Sequence, residues 1–157
     1  MAPSLIEIRQ AIISIRDRKF PFPLEERGGN AGSFFKNLSL LDSEYEALRE
    51  KVRRNFPPAA LAHLEEMRKQ FPTAGRIKIP TAFLIEICGL KGHRIGGAQV
   101  NEIQPLVLLN QGGATAEDVI ALARHVRQTV REKTGVALAN EPELIGFSKQ
   151  ELAEFNN

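Results

Sequence analysis

The chain has 157 residues, of which 43% are hydrophobic and 25% are charged, and these fractions are typical of one globular domain rather than of a disordered or fibrous chain. Its 21 basic and 19 acidic residues give a formal net charge of +2, which is too small to favour nucleic acid or an anionic membrane surface as a partner. The single cysteine, Cys88, excludes an internal disulfide and favours a reducing, cytoplasmic setting, and no apolar run approaches the roughly 20 residues of a membrane span.

The N-terminal segment predicts a helix, then an extended stretch and a loop. Over the first 19 residues one apolar stripe recurs at spacings of three and four, formed by Leu5, Ile8, Ile12 and Ile15. Pro21 and Pro23 then favour extended backbone, because each proline pushes the residue before it out of the α region. Residues 28–33 predict a loop of small residues, and Phe34–Phe35 predict the start of a short buried strand.

The middle of the chain predicts two paired helices and a short buried one. Ser43 and Glu46 have the spacing of a capping box, which predicts the start of a helix whose apolar face continues to residue 56. Pro57–Pro58 breaks this helix and suits the start of the next one, which is expected to end near residue 71. Ala82–Cys88 predicts a short buried helix with Gly89 as its left-handed terminator.

The last third predicts a hairpin or a strand pair over residues 98–109, and then the most clearly marked helix of the chain. Thr115 is its expected N-cap, with Asp118 at the third position, and Gly135 is its expected end. A polar tail, residues 148–157, is expected to fray or to form one helical turn. Between the helix and the tail two short strands are expected, over Val136–Ala139 and Leu144–Phe147.

Helices and strands interleave along the chain without a regular βαβ rhythm. The sequence therefore predicts an α+β fold, in which a small mixed or antiparallel sheet packs with helices in a single compact domain.

Three patterns that could carry chemistry have a plainer structural interpretation. A basic run on the second helix could bind phosphate, but its spacing favours a solvated helix face: Arg49, Lys51, Arg53 and Arg54. The three histidines are too far apart in sequence to suggest a ligand set, so we predict no metal site: His63, His93 and His125. Cys88 lies beside aliphatic residues without a nearby base, and it is predicted to be a small buried hydrophobe rather than a nucleophile.

The glycine-rich loop GGNAGSFFKN is the remaining candidate site. Gly28, Gly29 and Gly32 allow the backbone to approach a ligand closely, and backbone N–H groups could there cradle an anion. Ser33 stands at the end of this turn, and Lys19 could return to the same place. The pattern alone favours a tight turn before a strand over an active site.

Several longer segments occur in one order: KFPFP, GNAGSFFKN, FPTAGRIKIPTAFLIEICGLKGHRIGGAQV, RHVRQTVREKTGVAL and EPELIG. Together they resemble the C-terminal domain of the UDP-N-acetylenolpyruvoylglucosamine reductases, the MurB family of peptidoglycan precursor synthesis. The resemblance runs from about Leu5 to Gly146, and GNAGSFFKN and LKGHRIGGA are its most specific motifs. It implies a substrate-binding domain over residues 1–147, with residues 148–157 outside it.

The resemblance implies a flavoenzyme in which NADPH reduces FAD, and the reduced flavin gives hydride to the enol ether of UDP-GlcNAc-enolpyruvate to form UDP-N-acetylmuramate. Hydride addition at one vinyl carbon leaves negative charge on the other, which needs a proton source and hydrogen-bonding groups around the adjacent carboxylate. In the family the serine of GSFFKN donates this proton, which implies Ser33. The second glutamate of EPE assists at the same carbon, which implies Glu143; taken alone, Glu143 would be a surface carboxylate.

The resemblance also implies four substrate contacts. Lys19 and Asn37 match contacts of the nucleotide diphosphate or substrate, and Lys91 and Gln104 match further contacts of the UDP-sugar. Lysine suits a phosphate as a point charge, and side-chain amides suit uracil edges and phosphate oxygens. Without the resemblance Lys91 and Gln104 would be ordinary surface residues.

The chain departs from the family pattern in ways that keep alternatives open. Ile145 stands where the family pattern EPEVR has an arginine near the substrate carboxylate, and Leu38 stands where a proline usually follows FFKN. Nothing in the sequence resembles the family's FAD-binding domains, so the chain is expected to bind no FAD by itself, to be inactive alone, and to have an unusually apolar face toward those domains. The alternative is a non-catalytic UDP-sugar-binding or scaffold module, which the missing arginine favours. A small hydrolase using Ser33 ranks last, because no Ser-His-Asp arrangement follows from sequence order.

Overall fold

Five α-helices and six short strands follow one another in the computed structural model, which describes residues 2–19, 28–70, 72–73, 75–148, 150, 153 and 155. The helices are α1 (Leu5–Lys19), α2 (Asp42–Asn55), α3 (Pro58–Gln70), α4 (Thr81–Ile87) and α5 (Ala116–Thr134). The strands are β1 (Leu38–Leu40), β2 (Pro72–Thr73), β3 (Arg76–Ile79), β4 (Arg94–Ile95), β5 (Ala98–Val100) and β6 (Leu108–Asn110).

The strands form two separate three-stranded sheets. In the first, β3 lies between β1 and β2, with Leu40 opposite Ile77. In the second, β5 lies between β4 and β6, with Val100 opposite Leu108. Every one of these pairings is antiparallel, so the α+β prediction is confirmed and the hairpin expected over residues 98–109 is the β5–β6 pair.

The long helix α5 organises the core, because one of its faces is buried against α2 and the second sheet. Leu122, Val126 and Val130 on this face are completely buried. The predicted cap is confirmed: Thr115 Oγ1 accepts a hydrogen bond from Asp118 N at 3.1 Å, and Asp118 Oδ2 accepts one from Thr115 N at 3.1 Å. The helix therefore begins and ends where its sequence signals predict.

The predicted Ser43–Glu46 capping box is wrong, and α2 begins earlier than expected. The N-cap is Leu41, whose side chain has no acceptor, and Glu44 at the third helical position accepts a hydrogen bond from Leu41 N at 2.7 Å. The helix starts early because β1 ends directly before Leu41, which leaves one residue to connect strand and helix. The break at Pro57–Pro58 and the start of α3 there are confirmed.

The two strands predicted after α5 are also wrong, since neither residues 136–139 nor residues 144–147 form a strand. The chain makes only an isolated bridge there, between Phe35 and Asn140. Pro142 lacks a backbone donor, which disfavours continuing that bridge into a ladder. The strand expected to begin at Phe34–Phe35 is likewise reduced to isolated bridges, although both rings are buried.

The C-terminal tail is more than a polar extension. Residues 150, 153 and 155 are helical, which matches the helical-turn alternative, and the Phe155 side chain is only 2% exposed. Arg127 of α5 donates a hydrogen bond to the Phe155 carbonyl at 2.6 Å and stacks over its ring. Across the described part of the chain, no helix combines the length and the apolar character needed to cross a membrane.

Candidate functional site

The residues that follow the glycine-rich loop lie between two other parts of the backbone. On one side Ser33 forms an antiparallel bridge with Val107, and Phe34 N donates a hydrogen bond to the Leu106 carbonyl at 2.7 Å. On the other side Glu141 N donates to the Phe34 carbonyl at 2.9 Å. The segment that carries Ser33 is therefore held between the segment that follows Gln104 and the segment that contains the two EPE carboxylates.

The side chains of this segment differ in how far they are buried. Phe35 is completely buried and Phe34 nearly so, whereas Ser33 is partly exposed. The aromatic pair anchors the backbone in the core, while Ser33 remains in partial contact with solvent. A hydroxyl held this way could give a proton to a bound substrate, provided neighbouring groups stabilise its alkoxide.

The glycine-rich loop makes hydrogen bonds with the protein's own polar groups. Asn30 Oδ1 accepts a hydrogen bond from Gly32 N at 2.9 Å, and Gly29 O accepts one from Asn110 N at 2.9 Å. A Cβ built on Gly28 would lie 2.6 Å from Asn110 Cβ, so only glycine fits against this strand. The loop thus positions Ser33 by tight packing on β6, and the Asn30 side chain engages one of its backbone N–H groups, that of Gly32.

Asn37 has a structural contact in addition to its predicted role. Its Oδ1 accepts a hydrogen bond from Thr81 N at 3.1 Å, at the start of α4, and the Thr81 hydroxyl donates to the Lys36 carbonyl at 2.7 Å. Thr81 is completely buried, while Asn37 is exposed. These two bonds tie the end of the Ser33 segment to α4 and use the Asn37 amide oxygen, so the N–H groups of that amide are the ones suited to donate to a ligand.

Comparison with known proteins decides the family. The model of the UDP-N-acetylenolpyruvoylglucosamine reductase C-terminal domain matches residues 22–145. The chain belongs to this family. Among its relatives, the reductase of Burkholderia ambifaria strain MC40-6 is 40% identical over 136 residues, which cover 87% of this chain and 35% of that protein.

Two further reductases match equally well. The Paraburkholderia xenovorans protein is 41% identical over 140 residues, covering 89% of this chain and 36% of its own length. The Chromobacterium violaceum protein is 41% identical over 141 residues, covering 89% of this chain and 37% of its own length. The chain thus spans about a third of the length of the reductases it matches.

In this reductase domain the structure adds two residues that sequence reasoning missed. Glu141 is hydrogen-bonded through its backbone to Phe34, the residue after Ser33, and it stands two residues before the predicted Glu143. Asn140 Oδ1 is buried without a hydrogen-bond partner among the described residues. An unpaired buried acceptor at this bridge suits a ligand donor, because such groups are rarely left unsatisfied. Glu141 is the first residue of EPE and Asn140 directly precedes it, and this motif was the only sequence signal for either residue.

Gln104 lies close to the same segment. Asn101 Oδ1 accepts hydrogen bonds from Ile103 N at 2.8 Å and from Gln104 N at 3.3 Å, which fixes the turn, and Gln104 O accepts one from Val107 N at 2.9 Å. Because Val107 bridges Ser33, this turn carries Gln104 toward the Ser33 segment. The structure therefore brings Ser33, Gln104 and the EPE segment together.

Lys91 lies at the far side of the second sheet from Ser33. Its Nζ is 3.4 Å from Glu86 Oε1, and both side chains are partly exposed. The next residue, Gly92, is hydrogen-bonded to Val100 of β5, which is separated from the Ser33 segment by β6. A phosphate could displace Glu86, because exposed ion pairs contribute only about 0–1 kcal/mol. Lys19 is the last residue of α1, and its side chain lies outside the described residues.

The LKGHRIGGA motif has a packing role of its own. Asp118 Oδ2 accepts a hydrogen bond from Gly97 N at 3.1 Å, and this bond helps to lower the pKa of the Asp118 carboxyl. A Cβ on Gly96 would overlap that carboxylate, and Gly96 also has a positive φ of 54°. Because neither glycine has a side chain, the start of α5 packs directly against the turn after β4.

Two of the three histidines, although far apart in sequence, are in contact. The rings of His93 and His125 stack with their centroids 4.4 Å apart, which sequence spacing did not indicate. Burial and the neighbouring His93 lower the pKa of His125. Within the described residues, no three histidine, cysteine or acidic side chains are grouped as a metal site would need.

The remaining sequence candidates have the structural roles predicted for them. Cys88 is 5% exposed, and burial raises the pKa of its thiol to about 11. The basic run lies on the solvent side of α2, where Arg53 and Arg54 pair with Glu50 and Arg49 pairs with Glu65. The Cys88 thiol is therefore not activated as a nucleophile, and these three arginines of the basic run are paired with carboxylates.

A cavity of about 620 Å³ lies away from the predicted residues, between α5 and the segment after it. It is lined by Arg124, Arg127, Gln128, Arg131, Glu132, Ala137, Leu138 and Phe155. Among its described lining residues none carries a hydroxyl or a thiol that could act on a substrate, and Arg127 is already bonded to Phe155. We therefore favour the Ser33 segment as the functional site.

The glycine-rich loop does not have the setting of a dinucleotide site of the usual kind. Dinucleotide sites of the usual kind place a glycine-rich turn between a strand and a helix, at the carboxyl end of a parallel sheet. Here the sheets are antiparallel, and the glycine-rich loop is packed against Asn110 of β6. No step of the chemistry on this chain is therefore assigned to a bound flavin.

Proposed function

We propose that this chain is the substrate-binding part of an FAD- and NADPH-dependent reductase that converts UDP-GlcNAc-enolpyruvate to UDP-N-acetylmuramate in cytoplasmic peptidoglycan precursor synthesis. The observation that carries the proposal is the position of Ser33, held between the Gln104 turn and the EPE segment. The family match and the names of the relatives support the reaction class. The flavin-binding part is expected outside these 157 residues, and the 157-residue chain by itself is expected to have no reductase activity.

In this proposal the chain holds the nucleotide-linked sugar and supplies a proton. Ser33 gives its Oγ proton to the substrate carbon that has become carbanionic, and water returns a proton to the alkoxide. Glu143 assists at the same carbon, with Glu141 as the alternative that the backbone contact to Phe34 favours. Asn37, Gln104, Lys19 and Lys91 bind the UDP-sugar through amide groups and positive charge.

The sharpest test removes one hydroxyl. In a chimaera that carries this chain in place of the C-terminal third of the Paraburkholderia xenovorans reductase, Ser33→Ala should lower kcat by about 10²–10⁴-fold, the usual contribution of a general acid. KM should change little, because the hydroxyl acts on the reacting carbon. Ser43→Ala is the matched control, since Ser43 is exposed in the first turn of α2. An unchanged kcat for Ser33→Ala would refute Ser33 as the proton donor.

The same chimaera separates the two glutamates. If the second EPE carboxylate assists the proton transfer, Glu143→Gln should lower kcat. Glu141→Gln should then leave kcat within a few-fold of the unmodified value. The reverse pattern would assign the role to Glu141. Loss of kcat in neither variant would remove the carboxylate from the proposed chemistry.

The second candidate function is a non-catalytic UDP-sugar-binding module, and Ile145 favours it. Its side chain is 87% exposed and aliphatic, so it cannot donate a hydrogen bond to the substrate carboxylate. This function predicts that the chimaera binds the UDP-sugar but does not turn it over, and that Ile145→Arg raises kcat. Turnover by the unmodified chimaera would refute it.

A further inference from the structure

The rings of His93 and His125 are stacked, and this contact joins a turn to α5. Their centroids are 4.4 Å apart and their planes differ by 18°. His125 lies on α5, whereas His93 directly precedes β4 in the LKGHRIGGA motif, and both residues are half-buried. Because imidazole nitrogens bind metals in the plane of the ring, two nearly parallel rings do not converge on one ion. The contact is therefore one of packing rather than of metal binding.

His93 also closes the turn that carries Lys91. Its backbone N donates a hydrogen bond to Leu90 O at 3.1 Å, which places Lys91 and Gly92 in the two middle positions of a four-residue turn. Gly92 has a positive φ of 75°, and its N donates to Val100 O at 3.0 Å. Lys91 is exposed at this turn. The position of the Lys91 backbone thus depends on a residue whose side chain packs against α5.

Protonation of both rings would oppose the stack. One charged imidazole can stack on a neutral ring, but two charged rings repel each other at this separation. Burial lowers the pKa of His125, the charge of His93 lowers it further, and Glu132 raises it. The neutral form of His125 is therefore the form that the fold stabilises. This stabilisation is present above the ordinary histidine pKa of about 6.5 and is lost as the pH falls below it.

Three elements that pack against α5 add further charged groups. Glu86 of α4 pairs with Lys91 at 3.4 Å, Arg94 of β4 is exposed, and Lys51 of α2 lies at the C-terminal end of α5. Strands β5 and β6 contain no charged residue. Histidine is the one side chain whose ordinary pKa lies between about pH 5 and pH 8, so a change in this range reports the histidines.

We propose that His125 positions Lys91 by holding His93: the stack keeps the turn in place for a phosphate-bearing ligand, and a proton on each ring releases it. The proposal rests on the proposed function, which assigns Lys91 to the UDP-sugar. An ammonium group on a fixed turn loses less freedom on binding than one on a loose turn, so the stack should strengthen binding. The proton transfer from Ser33 should be unaffected. In the chimaera described above, His125→Ala should therefore raise KM and leave kcat within a few-fold.

The test is the binding of UDP-GlcNAc-enolpyruvate to the full chain, measured by calorimetry at about pH 8 and at about pH 5, between which histidine changes its charge. Binding should be about tenfold weaker at the lower pH, within the usual range for coupling between two sites. His125→Phe keeps a flat ring that takes up no proton, so it should bind normally at the higher pH and lose most of the acid effect. His125→Ala should bind about tenfold more weakly at both pH values. His63→Phe is the matched control, because His63 is exposed on α3, and it should keep the full acid effect.

Each outcome decides the proposal. Acid weakening that His63→Phe keeps and His125→Phe loses supports it. Acid weakening that persists in His125→Phe or disappears in His63→Phe overturns it, as does equal binding by the unmodified chain at both pH values or normal binding by His125→Ala. His93→Phe should behave as His125→Phe does, which keeps the test if one of the variants does not fold.

A second measurement separates this proposal from the proposed function. If no UDP-sugar binds at either pH, the proposed function fails, and the hydrogen-exchange protection factors of the Gly92 and His93 amides decide the stack. These factors should fall at the lower pH in the unmodified chain, because a turn that has lost its support opens more often, and they should not fall in His125→Phe. Unchanged protection in the unmodified chain overturns the proposal.

Discussion

Replacing Thr81 by valine should destabilise the segment that carries Ser33. Valine keeps the shape of threonine but removes the hydroxyl that donates to the Lys36 carbonyl at 2.7 Å. The bond is only partly buried, since Thr81 is completely buried and Lys36 is exposed. A typical hydrogen bond contributes about 0.5–1.5 kcal/mol to the free energy of unfolding. At about 2–4 °C per kcal/mol for a chain of this size, Tm should fall by roughly 1–6 °C.

Thr81→Ser is the matched control, because it keeps the hydroxyl and removes only a methyl group. We expect it to cost less than Thr81→Val in urea unfolding followed by circular dichroism. UDP-sugar affinity should also fall more in Thr81→Val, since the bond holds the backbone between Ser33 and α4. Equal stability of Thr81→Val and the unmodified chain, or a larger loss in Thr81→Ser, would refute the reasoning.

Three further predictions concern single groups. Gly28→Ala should cost about 1–3 kcal/mol in urea unfolding, because its Cβ overlaps Asn110; an unchanged midpoint would contradict the packing. Burial raises the pKa of the Cys88 thiol from 9.0 to about 11, so the folded state keeps this proton up to a higher pH than the unfolded state does. The free energy of unfolding should therefore fall as the pH rises from about 9 to about 11. The variant Cys88→Ala should lack this decline. Burial lowers the pKa of His125, so the unfolded state takes up a proton at a higher pH than the folded state does. The free energy of unfolding should therefore decline as the pH falls below about 6.5. A ring titration by NMR at or above that value would contradict this.

Local signals predicted the helices well. Thr115, Asp118 and Gly135 mark both ends of α5, and each acts within a few residues of the position it controls. The short strands were harder, because β1 and β3 become strands through pairing with each other across about 40 residues. The alternation in Arg76–Ile79 was a usable signal for β3, whereas Leu38–Leu40 offered little.

The candidate site likewise has parts that the sequence predicted and parts that it could not predict. Spacing alone could not bring Ser33 next to Val107 or Glu141, because those contacts join residues more than 70 positions apart. The motifs of the family identified Ser33, Gln104 and the EPE segment together, and the structure brings their backbones together. The stacking of His93 on His125 had no motif to indicate it, so the sequence analysis missed it.

The most direct test of the account is an NMR titration of the ¹⁵N-labelled chain with UDP-GlcNAc-enolpyruvate. We predict saturable shifts of the backbone amides of Gly32 and Ser33, of the Gln104 turn and of Asn140, Glu141 and Glu143, with weaker effects in Asn37→Ala. Shifts confined to the cavity beside α5, or no shifts at millimolar ligand, would contradict it.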